Sequence, residues 1–265
     1  MAEFYFVYMQ HSSISGNVKE AYDEFYQDHD EAWRMLGAKY KAQHIIEVSQ
    51  GRTFKTVLEV GAGDGSILKF LADAGFAPEY HAVEISDSGV AHLRARNIKG
   101  VKSVQLFDGY KLPFPDDSFD LIILSHVLEH VEHERMLLRE IKRIARHCII
   151  EVPLDYRFGV DSRIKHFLAY GHINVYTPTS LRYLLFTEGF VVENDLTSMI
   201  SPEVTKFNTY VNQKKTKSVI TNVKINAEYA VKNSMGKLFG KKMNEKMANA
   251  YTILCKRSTD HVAIF

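Results

Sequence analysis

The stretch "VLEVGAGDGSIL", Val57 to Leu68, is an apolar strand that runs into a glycine-rich turn and then into a helix. Glycines at 61, 63 and 65 let the backbone turn sharply and come within contact distance of a ligand, while the helix that follows presents unsatisfied N–H groups. A dinucleotide fingerprint, G-x-G-x-x-G, places its third glycine three residues after the second. Here the third follows after two, as G-A-G-D-G, which disfavours a nicotinamide enzyme.

Outward from this turn, short apolar strands alternate with helical segments: "KTVLEVG", "GSILKFLADAG", "YHAVEIS", "GVAHLRARN", "SVQLF", "FDLIILS", "ERMLLREIKRIAR" and "HCIIEVP". That alternation predicts a mostly parallel sheet with helices on both faces. Leu137, Ile141 and Ile144 share one face, as a crossover helix requires. "TPTSLRYLLFTEGFVVEN" predicts a helix starting near Thr179 or Ser180, ending at Gly189 and leading into the strand "FVVE". Upstream, Val18 to Val48 mixes apolar and charged residues at helical spacing, with Gly37 as the expected break between two helices. Residues 206–246 hold ten lysines against two acids, Glu228 and Glu245, before a last strand, "AYTILCKR". The expected organisation is a helical lid over 1–50, a core over 51–200, and a basic helical insertion, final strand and tail over 201–265, this last part belonging to the same domain.

The chain has 265 residues, 46% hydrophobic and 25% charged, enough for a substantial buried core. Lys and Arg total 33 against 32 Asp and Glu, so no net field favours nucleic acid. Cys148 and Cys255 both sit in apolar runs, as buried reduced thiols do. "MAEFYFVYMQ" lacks the basic and apolar regions of a secretory leader, and no apolar run reaches membrane-spanning length. A cytoplasmic protein is expected.

Acids stand at or near the carboxyl ends of successive strands: Glu59, Glu84 and Asp108. Ligands of open α/β sheets lie outside those strand ends, so the three should converge on one crevice. One carboxylate suits ribose hydroxyls, another the amine of a base, and a third an ammonium group. S-adenosylmethionine carries all three.

On these residues the chain resembles the class I S-adenosylmethionine-dependent methyltransferases, in particular the small-molecule group with an "E/DxGxGxG" first motif. The resemblance runs from about Lys55 to Glu193 and takes in "LPFPDDSFDLIILSHVLEHV" and "GHINVYTPTSLRYLLFTEGF". It implies a Rossmann-like, doubly wound seven-stranded sheet with the last strand antiparallel, an N-terminal helical lid and a late helical insertion. It further implies that Gly61, Gly63 and Gly65 lie under the methionine part, with Glu59 at its amino end. Glu84, with Ile85 next to it, would take the ribose hydroxyls, Asp108 and Gly109 would sit by the adenine, and Ser125 and His126 would face the cofactor.

"SHVLEHVEHE", Ser125 to Glu134, contains "HVLEH", which fits the H-x-x-E-H pattern of inverzincin metallopeptidases. A zinc site needs a third ligand, for which Glu203 is available, but a peptidase leaves the glycine turn and the acid series unexplained. The motif is therefore expected to begin at a strand end and enter a helix, and no metal is expected. His126 stands where a transferable methyl group should lie, and takes the proton of a hydroxyl acceptor or else caps the strand end. His130 and His133 read as helix-surface or core histidines. His172 is the second base candidate, with Tyr176 near it and Asp155 available to orient it; a structural histidine is the alternative.

In the lead-in, "DHDEAWRMLGAKYKA" places Trp33 beside Arg34, with Tyr22 and Tyr26 upstream. Family members often use such a helix as a lid, where a cation such as Arg34 would meet the cofactor's carboxylate; the alternative is an exposed arginine on an amphipathic helix. Tyr22, Tyr26, Trp33, Asp155 and Tyr176 form the expected acceptor side. The lysine-rich stretch is either a solvated face or a contact with anionic lipid or a phosphorylated substrate.

The expected function is transfer of a methyl group to a hydroxyl oxygen of a small molecule, a sugar or a secondary metabolite. No "[ND]-P-P-[YF]" signature follows the fourth strand, where "SHVL" stands, which weakens a DNA or amino-group target. The alternatives are a non-catalytic S-adenosylmethionine-binding protein, methylation at nitrogen or carbon, and, more remotely, the peptidase. The partner is a small-molecule acceptor, with no nucleic acid, and the chain is a monomer or homodimer.

Overall fold

A computed structural model describes residues 15–27, 31–156, 160, 167 and 171–258. Seven strands form one sheet: β1 (Thr56–Val60), β2 (Glu79–Glu84), β3 (Val101–Leu106), β4 (Phe119–Ser125), β5 (Ala145–Pro153), β6 (Phe190–Ser198) and β7 (Ala250–Arg257). Their order is β3-β2-β1-β4-β5-β7-β6. β1 to β5 pair in parallel, and β7 runs antiparallel to both β5 and β6. The order reverses between β1 and β4, and a crevice opens outside the carboxyl ends of strands at such a point.

Successive residues of each central strand enter opposite cores, because side chains alternate across a sheet. Leu58, Val60, Ile122 and Leu124 pack on one face with α5 (Glu134–Ile144) and α6 (Pro178–Thr187). Val57, Leu121 and Ile123 pack on the other with α2 (Glu31–Val48) and α3 (Ser66–Asp73). α5 buries Leu137, Leu138, Ile141 and Ile144, the face that the spacing predicts plus one neighbour. Burying each such side chain contributes roughly 1.5–3 kcal/mol. Cys148 and Cys255 are free, fully buried and directly opposite in the β5–β7 register.

The lead-in holds two helices, α1 (Gly16–Gln27) and α2, and Gly37 lies inside α2 and does not separate them. A glycine there costs about 1 kcal/mol relative to alanine. Burial of Ala38, Ala42, Ile45 and Val48 along one side of the helix overrides that cost. α6 starts earlier than expected, at a capping box in which Thr177 Oγ1 accepts from Ser180 N and Ser180 Oγ accepts from Thr177 N. Pro178, at the first turn, needs no N–H partner there. Gly189 closes α6 at φ 79°. Between β6 and β7 come α7 (Pro202–Phe207), a π turn over Asn208–Asn212, α8 (Val219–Phe239) and α9 (Lys241–Met247), which form the late insertion. Among the described residues no helix is long and apolar enough to cross a membrane.

Candidate active site

The glycine turn follows β1 and opens α3, with α4 (Asp87–Ala95) beside it. Gly61 N and Ala62 N donate to Val83 O at 2.9 and 3.2 Å, fastening the turn to the end of β2. Gly61 has φ 69°, and a Cβ built there would meet Val127 Cγ2 at 2.7 Å. At Gly65, φ 77°, a Cβ would meet Leu93 Cγ at 2.8 Å. These two glycines therefore answer to the protein's own packing as well as to any ligand. Asp64, within the turn, accepts from Ser66 N and Oγ through Oδ1, while its Oδ2 lies 2.8 Å from both Arg34 Nε and Arg96 Nη2. Burial alone would raise the Asp64 pKa, but Ser66, Arg34 and Arg96 hold it below the usual range. Arg34, expected at the cofactor's carboxylate, is thus engaged by an acid of the turn, because a buried Asp64 demands a cation.

Glu84 is 3% exposed. Its Oε2 accepts from Gly63 N at 2.8 Å, and its Oε1 accepts from Ile85 N and Ser86 N at 2.9 and 3.0 Å. A carboxylate offers about four acceptor positions, so three backbone bonds leave room for one hydroxyl. Desolvation pushes its pKa up despite those three bonds. Glu59, expected near the ligand or else turned to solvent, is buried, and its Oε2 accepts no hydrogen bond among the described residues. Burial drives its pKa well above the ordinary carboxyl value. Asp108 caps its own loop, with Oδ1 accepting from Tyr110 N and Lys111 N, and Gly109 follows at φ 94°. An orphaned buried carboxyl oxygen, a strand-end acid and a turn of backbone N–H groups fit S-adenosylmethionine, a cation with ammonium and ribose donors.

At the end of β4 the chain turns at His126, whose φ of 59° is rare for a residue with a side chain. "HVLEH" starts there and enters a short 3₁₀ helix, Leu128–His130. His126 Nδ1 lies 3.1 Å from Glu129 Oε1, and Nε2 lies 3.3 Å from Glu151 Oε1. Burial and Lys41 lower the His126 pKa, but Glu129 and Glu151 together outweigh them and hold it above the ordinary value. Glu151 Oε1 also takes a long contact of 3.5 Å from Ser125 Oγ, while its Oε2 meets His44 Nδ1 at 2.8 Å and Thr252 Oγ1 at 2.6 Å. Burial opposes ionisation of Glu151, yet His126 and His44 hold its pKa far below the usual range. His126, with both nitrogens facing acids, keeps its proton to higher pH than an ordinary imidazole does, and becomes a proton acceptor above its raised pKa.

A second cluster adjoins the first. His130 Nδ1 donates to Gly171 O at 3.0 Å, and its ring centroid lies 4.9 Å from that of His172. Asp155 Oδ2 is 2.6 Å from His172 Nδ1, so the acid and the histidine paired on sequence grounds are in contact. Glu129, His130 and His172 each bring a ligand-type atom within 4.8 Å of the others. Glu203 is not in this group and accepts instead from Lys39 and Tyr40. His133 flanks α5, its ring beside Tyr110.

The N-terminal helices reach the same region. Tyr22 of α1 places its ring edge-on to His130 at 5.7 Å, and Ser88 Oγ donates to Asp23 O at 3.0 Å, tying α1 to α4. Desolvation, Glu129 and Glu84 all raise the Tyr22 pKa, which places this residue within the field of both acids. Tyr176, expected on the acceptor side, lies at 6% exposure in the core that also holds Leu128, Leu181 and Leu184, with its hydroxyl donated to Leu128 O. Trp33 stacks on Phe207 instead of facing the β4 turn. The Tyr26 side chain lies outside the described residues. The sequence reading missed Asp64, Arg96, Glu129, His44 and Glu151 as site residues. Asp64 stands inside the quoted turn, and Glu151, an acid in the apolar run "HCIIEVP", carries the same signal that singled out Glu59.

Comparison with known proteins agrees with this geometry. The chain is 33% identical over 117 residues, 42% of its length, to the bifunctional methionine biosynthesis protein MetXA/MetW of Rhodopirellula baltica, of which the match covers 19%. Over 117 residues it is 36% identical to the ubiquinone/menaquinone biosynthesis C-methyltransferase UbiE of Burkholderia mallei, covering 48% of that protein. The chain thus spans less than half the length of these curated relatives. The crystal structure of an S-adenosylmethionine-dependent methyltransferase from Mesorhizobium loti superposes with a TM-score of 0.56 at 16% identity, over 84% of this chain and 100% of that one. With residues 33–194 of the 265 also matching the family model described as a methyltransferase domain, the chain belongs to the class I S-adenosylmethionine-dependent methyltransferases.

Proposed function

We propose that the protein transfers a methyl group from S-adenosylmethionine to a hydroxyl oxygen of a small-molecule acceptor. The observation that carries this reading is the grouping, at the carboxyl edge of β1, β2 and β4, of the glycine turn and Glu59 and Glu84 with two acid-paired histidines, His126 and His172. The cofactor supplies an electrophilic methyl group. Glu59 answers the ammonium, Glu84 and Ile85 the ribose side, the turn at Gly61, Gly63 and Gly65 the methionine part, and Asp108 with Gly109 the adenine. Arg34 acts through Asp64 by holding the turn in place. Ser125 orients Glu151, and Tyr22 closes the acceptor side. His126, or His172 oriented by Asp155, receives the acceptor's proton. Tyr176 positions the β4 turn from the core.

Methylation at carbon is the second reading, supported by the likeness to UbiE; an enolisable acceptor needs the same proton removal. Calorimetry with S-adenosylmethionine and S-adenosylhomocysteine on the parent and on Glu84→Ala tests the cofactor reading, which requires micromolar binding that collapses in the variant. Binding unchanged by Glu84→Ala overturns that assignment. Acceptor screening with ¹³C-methyl cofactor then separates O-methyl from C-methyl products, and a protein that binds cofactor with no turnover on any acceptor is a sensor.

The basic insertion supports contact with an anionic lipid surface. On α8, Val219, Val223 and Val231 repeat at helical spacing and are 79%, 61% and 58% exposed, among Lys217, Lys224 and Lys237. Two free thiols facing each other across β5 and β7 support a reducing, cytoplasmic setting.

A further inference from the structure

We propose that Glu129, His130 and His172 bind a divalent transition-metal ion at the carboxyl edge of β4. Their ligand-type atoms fall within 4.8 Å of one another, and His130 Nε2 lies 3.8 Å from Glu129 Oε1. That separation is too long for a hydrogen bond. It matches two donors on one ion, since ligands each about 2.1 Å from a metal lie roughly 3–4.2 Å apart.

The tautomers are set for ligation. Gly171 O can only accept, so His130 Nδ1 carries a proton and the lone pair of the neutral ring is on Nε2, the nitrogen 3.8 Å from Glu129 Oε1. Asp155 at 2.6 Å likewise fixes the proton of His172 on Nδ1, which leaves Nε2 as the lone-pair nitrogen of the neutral ring. A carboxylate or backbone carbonyl behind each histidine is the usual support of a metal-binding imidazole. Glu129 adds the anion. It is 0% exposed, and neither of its carboxyl oxygens accepts an aligned hydrogen bond among the described residues; His126 approaches Oε1 at 3.1 Å only as an ion contact. Among the described residues His126 is its one close ionic partner and lies on Oε1, so the buried carboxylate keeps acceptor positions that a metal cation would fill.

Backbone bonds hold the ligands in register. Ile173 N and Asn174 N both donate to Glu129 O, at 2.8 and 3.0 Å, and Asn174 Nδ2 donates to Leu128 O and Val131 O. The segment bearing His172 is thereby clamped to the turn bearing Glu129 and His130. Two imidazoles and one carboxylate suit zinc, cobalt, manganese or ferrous iron; magnesium and calcium prefer oxygen donors throughout. Three protein ligands leave a position for an acceptor oxygen, whose proton the ion would make more acidic. That role rests on the transfer reading above and replaces direct proton uptake by His172; the site itself rests on neither.

The test is metal uptake without cofactor or acceptor. Chelator-stripped protein is dialysed against Zn²⁺, Co²⁺ or Mn²⁺, bound metal is counted by mass spectrometry, and the visible absorption of the Co²⁺ form is recorded. The expected result is one ion per chain, with affinity falling at least tenfold in His172→Ala and in His130→Ala and by about 10–100-fold in Asp155→Asn. The Co²⁺ spectrum should also change in Asp155→Asn, so the proposal remains testable if an alanine variant does not fold. Failure of the parent to bind any of the three ions overturns the proposal, as does equal uptake by parent and folded variants. Calorimetry of the stripped protein with S-adenosylmethionine separates the two readings: cofactor binding with no metal uptake removes the site and leaves the transferase standing.

Discussion

Arg34 Nε and Asp64 Oδ2 lie 2.8 Å apart with side chains only 13% and 5% exposed, and this pair joins the N-terminal helix α2 to the glycine turn. Arg96 Nη2 reaches the same oxygen at 2.8 Å, so Asp64 bridges two cations from two helical segments. Arg34→Ala should cost about 2 kcal/mol of stability, the scale of a hydrogen bond to a charged group. Asp64→Asn should cost more, because it removes the buried anion that both guanidinium groups share, although Arg96 keeps Glu31 Oε1 at 3.1 Å. Urea unfolding of the two single variants and the double variant reads this, and a coupling near zero would show that α2 does not depend on the turn. S-adenosylmethionine affinity should fall with the same ranking if Arg34 acts through Asp64.

The His126–Glu151 contact should place a stability maximum on the acid side of neutrality. Glu151 has a depressed pKa, so its contribution is present above the ordinary value of 4.5 and is lost as pH falls. His126 has a raised pKa, so its contribution is complete below 6.5 and is lost as pH rises through the folded value. The pair therefore contributes most between about pH 4.5 and 6.5. Thermal unfolding across that range, compared with Glu151→Gln, should show the difference between the proteins narrowing at both ends. If His126 is the base, kcat should rise with a pKa above 6.5; an acid limb below that value would exclude it.

Two glycines should respond in opposite directions. Gly37 lies in α2 with nothing within 4 Å of a built Cβ, so Gly37→Ala should stabilise by about 0.5–1 kcal/mol. Gly61 combines φ 69° with a 2.7 Å approach to Val127 Cγ2, and Gly61→Ala should destabilise by more than that gain. Denaturant midpoints decide both. A neutral Gly61→Ala would mean that the turn can move away from Val127.

The alternating pattern of strands and helices was readable because sheet and helix periods are local properties, and the observed strand order agrees with it. The glycine turn and Glu84 were readable for a similar reason, since both lie at the end of a strand beside a helix start. Gly37 misled because a helical glycine and a helix-ending glycine have the same sequence signature, and only the burial of Ala38 and Ala42 separates them. Glu151 and His44 escaped because their contact spans 107 positions, and no local pattern encodes which helix crosses β5. Tyr176 was misjudged for a related cause. It was expected beside His172 on the acceptor side, but whether a ring points into a core or a crevice is decided by packing.

The exposed side of α8 should bind anionic membranes. Val219 and Leu238 are 79% and 77% exposed at the two ends of a helix that also carries Lys224 and Lys237. Vesicles containing phosphatidylglycerol should sediment the protein, whereas phosphatidylcholine vesicles should not, and about 0.5 M salt should release it because the Debye length then falls well below 10 Å. Lys224→Glu with Lys237→Glu should abolish sedimentation. Equal recovery with both vesicle types would remove the lipid reading.

Glu59 should link cofactor binding to proton release. Its carboxyl is buried, and desolvation raises its pKa well above 4.5, so the cofactor-free protein holds it protonated further up the pH scale than an exposed glutamic acid. An arriving ammonium favours the ionised form and expels that proton. Calorimetric titration with S-adenosylmethionine in buffers of different ionisation enthalpy should therefore show net proton release, and affinity should weaken as pH falls through the raised pKa. The same shift affects stability. A carboxyl with a raised folded pKa contributes most below its unfolded value and loses that contribution as pH rises. Glu59→Gln should thus unfold at higher denaturant than the parent at pH 8 while binding the cofactor at least tenfold more weakly. A variant that loses stability and binding together at pH 8 would assign Glu59 to the fold and not to the ligand.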